Sequence, residues 1–285
     1  VQHWDVIPFL SIHLMCLMVI QTGIRWEWVL LAIGSYYLRM IGVTAGYHRY
    51  FSHRSFKTSR VFQFMLAFLA MTSAQKGVLW WAAHHRHHHK YSDQEEDVHS
   101  PLKRGWWFAH VGWILSPDYV RTDLNLVRDL RRNPEICFLN RFYWIPPVCY
   151  ALVIYGIWGF PGLVWGVFVS TTALYHCTFF INSLAHLIGR VRYKSNDGSK
   201  NSFILAILCC GEGWHNNHHH YQSAANQGWF WWEVDVSYYI LSMLSWLGIV
   251  WDLRTPPEHV KARTLAVESG SHMGHTPPAH SQGPV

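Results

Sequence analysis

The chain has 285 residues, of which 50% are hydrophobic, 16% are aromatic and 14% are charged, and its formal net charge is +6. Soluble domains carry about a quarter charged residues, so the composition argues against an ordinary soluble protein, and the 17 tryptophans suit a membrane interface. The six cysteines form no CxxC pair, which argues against a disulfide framework and predicts small core residues in a reducing compartment. The positive charge suits anionic lipid headgroups or an acidic protein partner, and we expect no nucleic-acid partner.

Four apolar stretches approach the length of about 20 residues that a membrane-spanning helix needs. They cover about 4–22, 28–47, 142–160 and 163–187. Short links, QTGIRWE and FPG, join these stretches in pairs and predict two helical hairpins. The alternative is a soluble bundle of four buried helices, which is disfavoured because soluble helices rarely stay apolar all round.

The basic residues predict an orientation in the membrane. Arg25 lies in the first hairpin link and Arg39 lies inside the second span, where a charge should face protein or water. The other lysines and arginines follow the spans, in two polar regions, 48–141 and 190–255, and in the tail. The positive-inside rule therefore places both polar regions and both termini in the cytoplasm.

These elements define a predicted architecture. Residues 1–255 form one integral-membrane domain of the all-α class, with four transmembrane helices in two hairpins and a cytosolic helical cap. Residues 256–285, where Pro, Gly, Ser and His dominate, form a tail that we expect to be disordered.

Histidines are the most informative residue type, because the chain has 21 of them and many cluster in a few short segments. Positions i, i+3 and i+4 of a helix share about one face, so an HxxHH pattern aims three imidazoles at one point. In the segment WHNNHHH this pattern selects His215, His218 and His219. In the segment HHRHHH it fits two registers equally well, which are His84/His87/His88 and His85/His88/His89.

Two further segments contribute histidines. GYHRYFSHRSF contains His48 and His53, and because they are five residues apart, one of them must lie past the helix end or in a widened turn. INSLAH contains His186 at the end of the fourth span. Together the patterns predict a metal site, and the number of imidazoles predicts two ions, for which Fe, Zn, Cu and Ni are suitable. Glu212 and Asp93 stand where they could accept a hydrogen bond from a ligating ring.

The order HxxxxH, HxxHH, HxxHH, with NSxAH between the last two, resembles membrane fatty acyl desaturases of the stearoyl-CoA desaturase type. The resemblance covers roughly 36–254 and includes GVTAGYHRYFSHRSF, HHRHHHKYSD, GWWFAHVGW, INSLAH and GEGWHNNHHH. It implies the second of the two registers. It also implies two irons held by nine histidines, with Asn182 binding one iron through water: His48, His53, His85, His88, His89, His186, His215, His218 and His219. Thr178, Asn182 and His186 are spaced to share one helical face.

The resemblance also implies a substrate tunnel and a reaction. Gln75, Trp81 and Thr178 would line a bend in the tunnel beside the metals, and Tyr36 would close its end. The reaction would use O2 to insert a cis double bond, at the delta-9 position, into a saturated C16 or C18 acyl chain. Two electrons would come from a ferredoxin or cytochrome b5-like donor that docks on the basic cytosolic face.

Two questions stay open at the level of sequence. Animal acyl-CoA enzymes of this type have an Arg-Asp pair where this chain has Ala83-His84, so the acyl carrier is CoA, acyl carrier protein or a glycerolipid. The competing functions are a di-iron fatty acid or alkane hydroxylase, which uses the same kind of site, and a metal transporter or store. The last of these predicts polar ligands at mid-membrane, whereas the histidine segments lie at the cytosolic ends of the predicted spans.

Overall fold

The structure, a computed structural model, describes residues 6–264 and is mostly helical. One two-stranded antiparallel pair, Lys57–Thr58 with Val250–Trp251, joins distant parts of the chain. The main helices are α1 (Val6–Thr22), α2 (Trp26–Ser52), α3 (Arg60–Met71), α4 (Val78–Tyr91), α5 (Pro134–Arg141), α6 (Ile145–Gly162), α7 (Ser170–Ser183), α8 (His215–His220) and α9 (Val236–Trp246).

Within residues 6–264, two helical runs are long and apolar enough to cross a membrane: α2, and the run Ile145–Ser183 that contains α6 and α7. The second run is interrupted at Gly159, whose φ of 63° and ψ of −157° are not helical, two residues before Pro161. This break lies next to the predicted FPG link, and Gly23, with φ 69°, lies in the other link. Helix α1 is apolar but shorter. The layout of four membrane spans in two hairpins stays a prediction.

Helix α2 ends in a π-helical segment, Gly42–Ser52, which carries the first histidine of the site. The amide of His53 donates to the carbonyl of His48 at 3.1 Å, five residues back, which is the hydrogen bond of a widened turn. His53 itself caps the helix. This wide turn brings the two rings to a centroid separation of 4.7 Å, so the structure contains both alternatives that their five-residue spacing allowed.

Glycine allows α2 and α3 to approach closely. A Cβ atom on Gly42 would lie 2.9 Å from the backbone nitrogen of Ala70, and one on Gly46 would lie 3.2 Å from the carbonyl of Leu66. A larger residue at either position would therefore push the two helices apart.

The start of α4 is held by a side chain from α5. The Asn140 side-chain oxygen accepts hydrogen bonds from the amides of Leu79, at 2.9 Å, and Trp80, at 3.4 Å. It thereby satisfies amide groups that the first turn of a helix leaves without partners. A Cβ on Gly77 would lie 2.2 Å from this oxygen, so glycine is required there. This contact sets the position of the histidine-rich helix.

Arg39, the charge inside α2, is fully buried and faces protein, as its sequence position predicted. Its guanidinium donates to the hydroxyls of Ser170 and Thr171 and to the carbonyls of Ser35 and Thr72. A buried charge is costly unless such oxygens surround it. Arg39 therefore ties α2 to α7 and to the end of α3.

Two predicted boundaries are wrong. Helix α7 ends at Ser183, so His186 lies in the following turn and does not continue the helical face of Thr178 and Asn182. The start of the predicted disordered tail is ordered: a short helix spans Glu258–Lys261, and the Tyr193 hydroxyl donates to the Lys261 carbonyl at 3.0 Å. This contact stabilises a segment that composition alone marks as loose. Residues 1–5 and 265–285 lie outside the described residues, with the rest of the predicted tail.

Candidate metal centre

Five of the nine predicted histidines converge in one group, here called the five-histidine cluster. One nitrogen of each ring lies within 4.8 Å of the others. Within it, the Nε2 atoms of His48 and His218 are 3.1 Å apart, and those of His53 and His85 are 2.8 Å apart. Its members come from the end of α2, from α4 and from α8: His48, His53, His85, His89 and His218.

The other four predicted histidines form the four-histidine cluster, which is completely buried. The Nε2 atoms of His186 and His215 are 3.0 Å apart. His186 comes from the turn after α7, so this cluster joins the second apolar run to α4 and α8. Its members are His88, His186, His215 and His219.

Each HxxHH segment is divided between the two clusters, which corrects the prediction that it aims three rings at one point. In α4, His85 and His89 belong to the five-histidine cluster and His88 belongs to the other. In α8 the division is reversed, because His218 alone joins the five-histidine cluster. Helical residues four apart differ by about 40° around the axis, whereas adjacent residues differ by about 100°. The i, i+4 pair therefore stays together and the i+3 residue points to the neighbouring cluster.

The fold selects between the two registers of the HHRHHH segment. His84 turns away from the clusters, with its Nδ1 2.9 Å from the Trp80 carbonyl and its ring against the Trp80 indole. His87 lies against the ring of Tyr91. The residues that face the clusters are His85, His88 and His89.

Both clusters fit transition-metal ions. Two nitrogens bound at right angles to one ion, each at about 2.1 Å, lie about 3 Å apart, and four Nε2 pairs within the clusters are separated by 2.8 to 3.1 Å. The buried Nε2 of His219 has no hydrogen-bond partner among the described residues. Burial lowers the pKa values of five rings well below the ordinary histidine value, which keeps them neutral and able to bind a cation: His53, His85, His89, His215 and His218.

Buried carboxylates orient four of the rings through their Nδ1 atoms. Glu212 and Asp93, the two candidates from the sequence, contact His48 at 2.5 Å and His186 at 2.8 Å. The other two contacts were not predicted; they join His88 to Asp97 at 2.9 Å and His219 to Asp197 at 2.6 Å. Asp97 and Asp197 lie in polar turns, where no helical periodicity marks them. An acceptor at Nδ1 holds the tautomer whose Nε2 lone pair is free for a metal.

The hydrogen bonds to histidine leave these carboxylates ionised. Burial by itself would raise the pKa of Asp97, but the contact with His88 outweighs it, so the pKa lies below the ordinary range. The same balance of burial against a histidine partner lowers the pKa values of Asp93 and Asp197.

A mostly apolar cavity of about 470 Å³ adjoins the clusters, a size typical of small-molecule sites. Its lining includes His48 and His85 of the five-histidine cluster, and Asn182. Asn182 therefore lies at the cavity, on the chain four residues before His186.

Three of the four predicted tunnel residues line this cavity and are joined to one another. The Trp81 indole donates to Gln75 at 3.2 Å, and the Gln75 amide donates to Thr178 at 3.0 Å. Tyr36 is buried but does not line the cavity, whereas Met40, one turn later on α2, does. The Tyr36 hydroxyl donates to the carbonyl of Leu208 at 2.6 Å.

A row of three further histidines lies outside the clusters and was not singled out by the sequence. His176 uses both ring nitrogens, with Nε2 3.1 Å from His13 and Nδ1 3.0 Å from His110. His110 in turn contacts the Ser183 hydroxyl at 3.0 Å. Because the middle ring bridges its neighbours, the three rings form a line, not a shell around a point. The row ties α1 to α7 and to the segment Phe108–Gly112.

Comparisons with known proteins agree with this geometry. The family model for fatty acid desaturase matches residues 26–247. An sn-1 stearoyl-lipid 9-desaturase of Synechocystis is 36% identical over 91% of this chain and 82% of its own length. Delta-9 acyl-lipid desaturase 1 of Arabidopsis thaliana is 33% identical over 90% of this chain and 85% of its own length. An acyl-CoA 5-desaturase of Anemone leveillei is 33% identical over 87% of this chain and 78% of its own length. The chain belongs to the fatty acid desaturase family and is an oxidoreductase that desaturates fatty acyl chains.

Proposed function

We propose that the chain inserts a cis double bond at the delta-9 position of a saturated C16 or C18 acyl chain carried by a membrane glycerolipid, with O2 as co-substrate. The observation that carries the proposal is the contact between an apolar cavity and two buried histidine clusters. Relatives from Synechocystis and Arabidopsis are named for position 9 and for lipid-linked chains. The Ala83-His84 pair, in place of Arg-Asp, also supports a carrier other than CoA.

Nine histidines would hold two iron ions, five on one ion and four on the other, and Asn182 would bind one of them through water. Reduced iron and O2 supply the oxidising power to remove hydrogen atoms from an unactivated methylene, which no side chain can do as an acid or base. The overall reaction consumes O2, two electrons, two protons and two substrate hydrogen atoms, and releases two water molecules.

The residues of the chain supply position and environment. The linked side chains of Trp81, Gln75 and Thr178 shape the cavity wall beside His85 and so determine which carbons lie next to the metals. The buried carboxylates keep the Nε2 atoms directed inward. The apolar lining excludes water from the oxidant.

The proposed location is an integral membrane protein with the metal centre and both ends of this chain on the cytoplasmic side. Two helical runs have the length and composition of membrane spans. Their outward faces expose large apolar residues, such as Leu30 and Leu152, each 65% exposed, that lipid would cover. The distribution of lysine and arginine supports the orientation.

Electrons would come from an external ferredoxin or cytochrome b5-like protein. Exposed arginines in the segment before α5, namely Arg128, Arg131 and Arg132, would attract an acidic donor to the cytosolic face. Turnover at limiting donor concentration should fall as salt is raised. Turnover that is independent of salt under these conditions would contradict docking by charge.

Product analysis tests the function. Membranes containing the chain, a donor and its reductase would receive palmitoyl and stearoyl chains on glycerolipid, CoA and acyl carrier protein, with His219→Ala as control. We expect a new cis double bond at position 9 of the lipid-linked chain, located by mass spectrometry, and none with the control. An alcohol would indicate a hydroxylase, and a product formed from a thioester alone would refute the glycerolipid carrier.

A further inference from the structure

The two histidine clusters differ in the carboxylates that surround them. In the four-histidine cluster, three of the four rings contact an aspartate whose side chain is 7% exposed or less: His88 with Asp97, His186 with Asp93, and His219 with Asp197, at 2.9, 2.8 and 2.6 Å. In the five-histidine cluster, the described structure shows one such contact, between His48 and Glu212.

The carboxylates also differ in what balances their charge. The three aspartates accept their other hydrogen bonds from neutral groups, such as the Ser100 hydroxyl and the amides of Gly198 and Ser199. Glu212 instead forms an ion pair with Arg49, at 3.3 Å, and Arg49 is paired at 2.9 Å with Asp235. The four-histidine cluster therefore lies among three carboxylates that pair with no arginine of residues 6–264, whereas the single carboxylate of the other cluster is neutralised in part by a cation.

This difference has a predictable effect on a bound metal ion. A carboxylate that accepts the Nδ1 proton makes the opposite nitrogen a stronger donor. Its negative charge also stabilises the more highly charged of two oxidation states. The fifth imidazole of the five-histidine cluster also stabilises the more highly charged oxidation state of its ion, but this ring is neutral. Three full negative charges in a buried site outweigh the dipole of one ring.

We propose that the four-histidine cluster holds the iron of lower reduction potential, so that the first electron from the donor resides on the iron of the five-histidine cluster. Asp93, Asp97 and Asp197 act as positioning residues that set this difference through the histidines they contact. The inference rests on the proposed two-iron function. The site that is reduced first is then the one whose His48 and His85 line the cavity.

A redox titration of the full chain tests the proposal. The protein would be loaded with 57Fe in lipid nanodiscs, reduced stepwise with mediators, and followed by Mössbauer spectroscopy. We expect two one-electron steps, and a half-reduced form with equal amounts of one ferric and one ferrous signal. Reduction of both irons at one potential would overturn the proposal, and this result needs no variant.

Paired variants assign each step to a cluster. Asp97→Asn, and independently Asp197→Asn, should raise the lower potential and leave the higher one unchanged. Asp97→Glu, which keeps the charge, should restore the lower potential to near its wild-type value. Glu212→Gln is the matched variant of the five-histidine cluster and should raise the higher potential. If the aspartate variants move the higher potential instead, the assignment is wrong.

Iron content and product, measured on the same preparation, separate this proposal from the proposed function. Two irons with separate potentials but no delta-9 alkene would refute the proposed function and retain the inference. Alkene formation with a single two-electron step would refute the inference and retain the function.

Discussion

The indole Nε1 of Trp81 donates a hydrogen bond to the side-chain oxygen of Gln75 at 3.2 Å, and the side-chain amide of Gln75 donates to the Thr178 hydroxyl at 3.0 Å. Trp81 also stacks on the ring of His85, with centroids 4.9 Å apart, and on Tyr47, with centroids 5.3 Å apart. The wall of the cavity is thus connected directly to a histidine of the metal centre. A change in the hydrogen-bonded link should therefore change where the acyl chain lies relative to the metals.

Thr178→Val tests this link. The substitution keeps the side-chain shape but removes the acceptor for Gln75, and an unpaired buried donor costs about 1–3 kcal/mol. We expect turnover to fall roughly five- to 100-fold, with some product at positions next to the wild-type one. Thr172→Val, on the same helix but in contact with Cys16, should leave the product unchanged. Equal behaviour of the two variants would show that the link does not position the substrate.

Tyr36→Ala tests the predicted end of the tunnel. Tyr36 lies one turn before Met40, which lines the cavity, and its hydroxyl holds the carbonyl next to Cys209. Removal of the ring should extend the cavity and favour longer saturated chains over the wild-type length by roughly tenfold, since pocket methylenes are worth about 1–3 kcal/mol. The measurement is the product profile with chains of increasing length. Tyr37→Ala serves as control, and an unaltered profile for Tyr36→Ala would refute the role.

His218→Ala and His220→Ala compare a clustered with an unclustered neighbour. His218 lies in the five-histidine cluster, whereas His220 contacts the Lys194 carbonyl and stacks on Tyr193. We expect His218→Ala to lose one of two irons, measured by elemental analysis, and to have a lower melting temperature, because bound metal stabilises the folded state. His220→Ala should keep both irons. Full iron content in both variants would contradict the proposed ligand set.

Asp129→Asn tests a salt bridge that holds α4, through Arg86, to the segment before α5. Asp129 accepts hydrogen bonds from Arg86, at 2.7 Å, and Arg54, at 2.8 Å. Burial alone would raise the pKa of Asp129, but the two arginines lower it to about 2, against about 3.9 in an unfolded chain. A carboxyl with a lowered pKa stabilises the fold above the unfolded value, and this contribution is lost as the pH falls towards the folded value.

The melting temperature of the metal-free protein in detergent should therefore be lower for Asp129→Asn than for wild type at pH 7. The difference should shrink as the pH falls below about 4, where the carboxyl of the unfolded wild-type chain starts to gain a proton while the folded one stays ionised. Asp123→Asn, a change in an exposed aspartate of the same segment, is the control. A difference that stays constant between pH 3 and pH 7 would rule out the ionic contribution.

Much of the site was predictable because its chemistry is local. The spacing in HHRHHH and WHNNHHH predicts which imidazoles a helix can direct towards one side, with two registers left open in HHRHHH. The five-residue spacing of His48 and His53 requires that one of them lie past the helix end or in a widened turn, and the structure contains both features. Glu212 and Asp93 were identifiable as candidate partners of histidine, but their actual partners, His48 and His186, come from distant parts of the chain.

The sequence by itself determined which residue types would meet a metal, which stretches are apolar enough to enter a membrane, and the family to which the chain belongs. Only the tertiary structure decided that adjacent residues, His88 and His89, serve different clusters, and that Asp97 and Asp197 lie behind two of the rings. The physical reason is that helical periodicity sets the direction of a side chain relative to its own axis. The point where directions from α2, α4 and α8 intersect depends on how those helices pack, and local spacing carries no information about it.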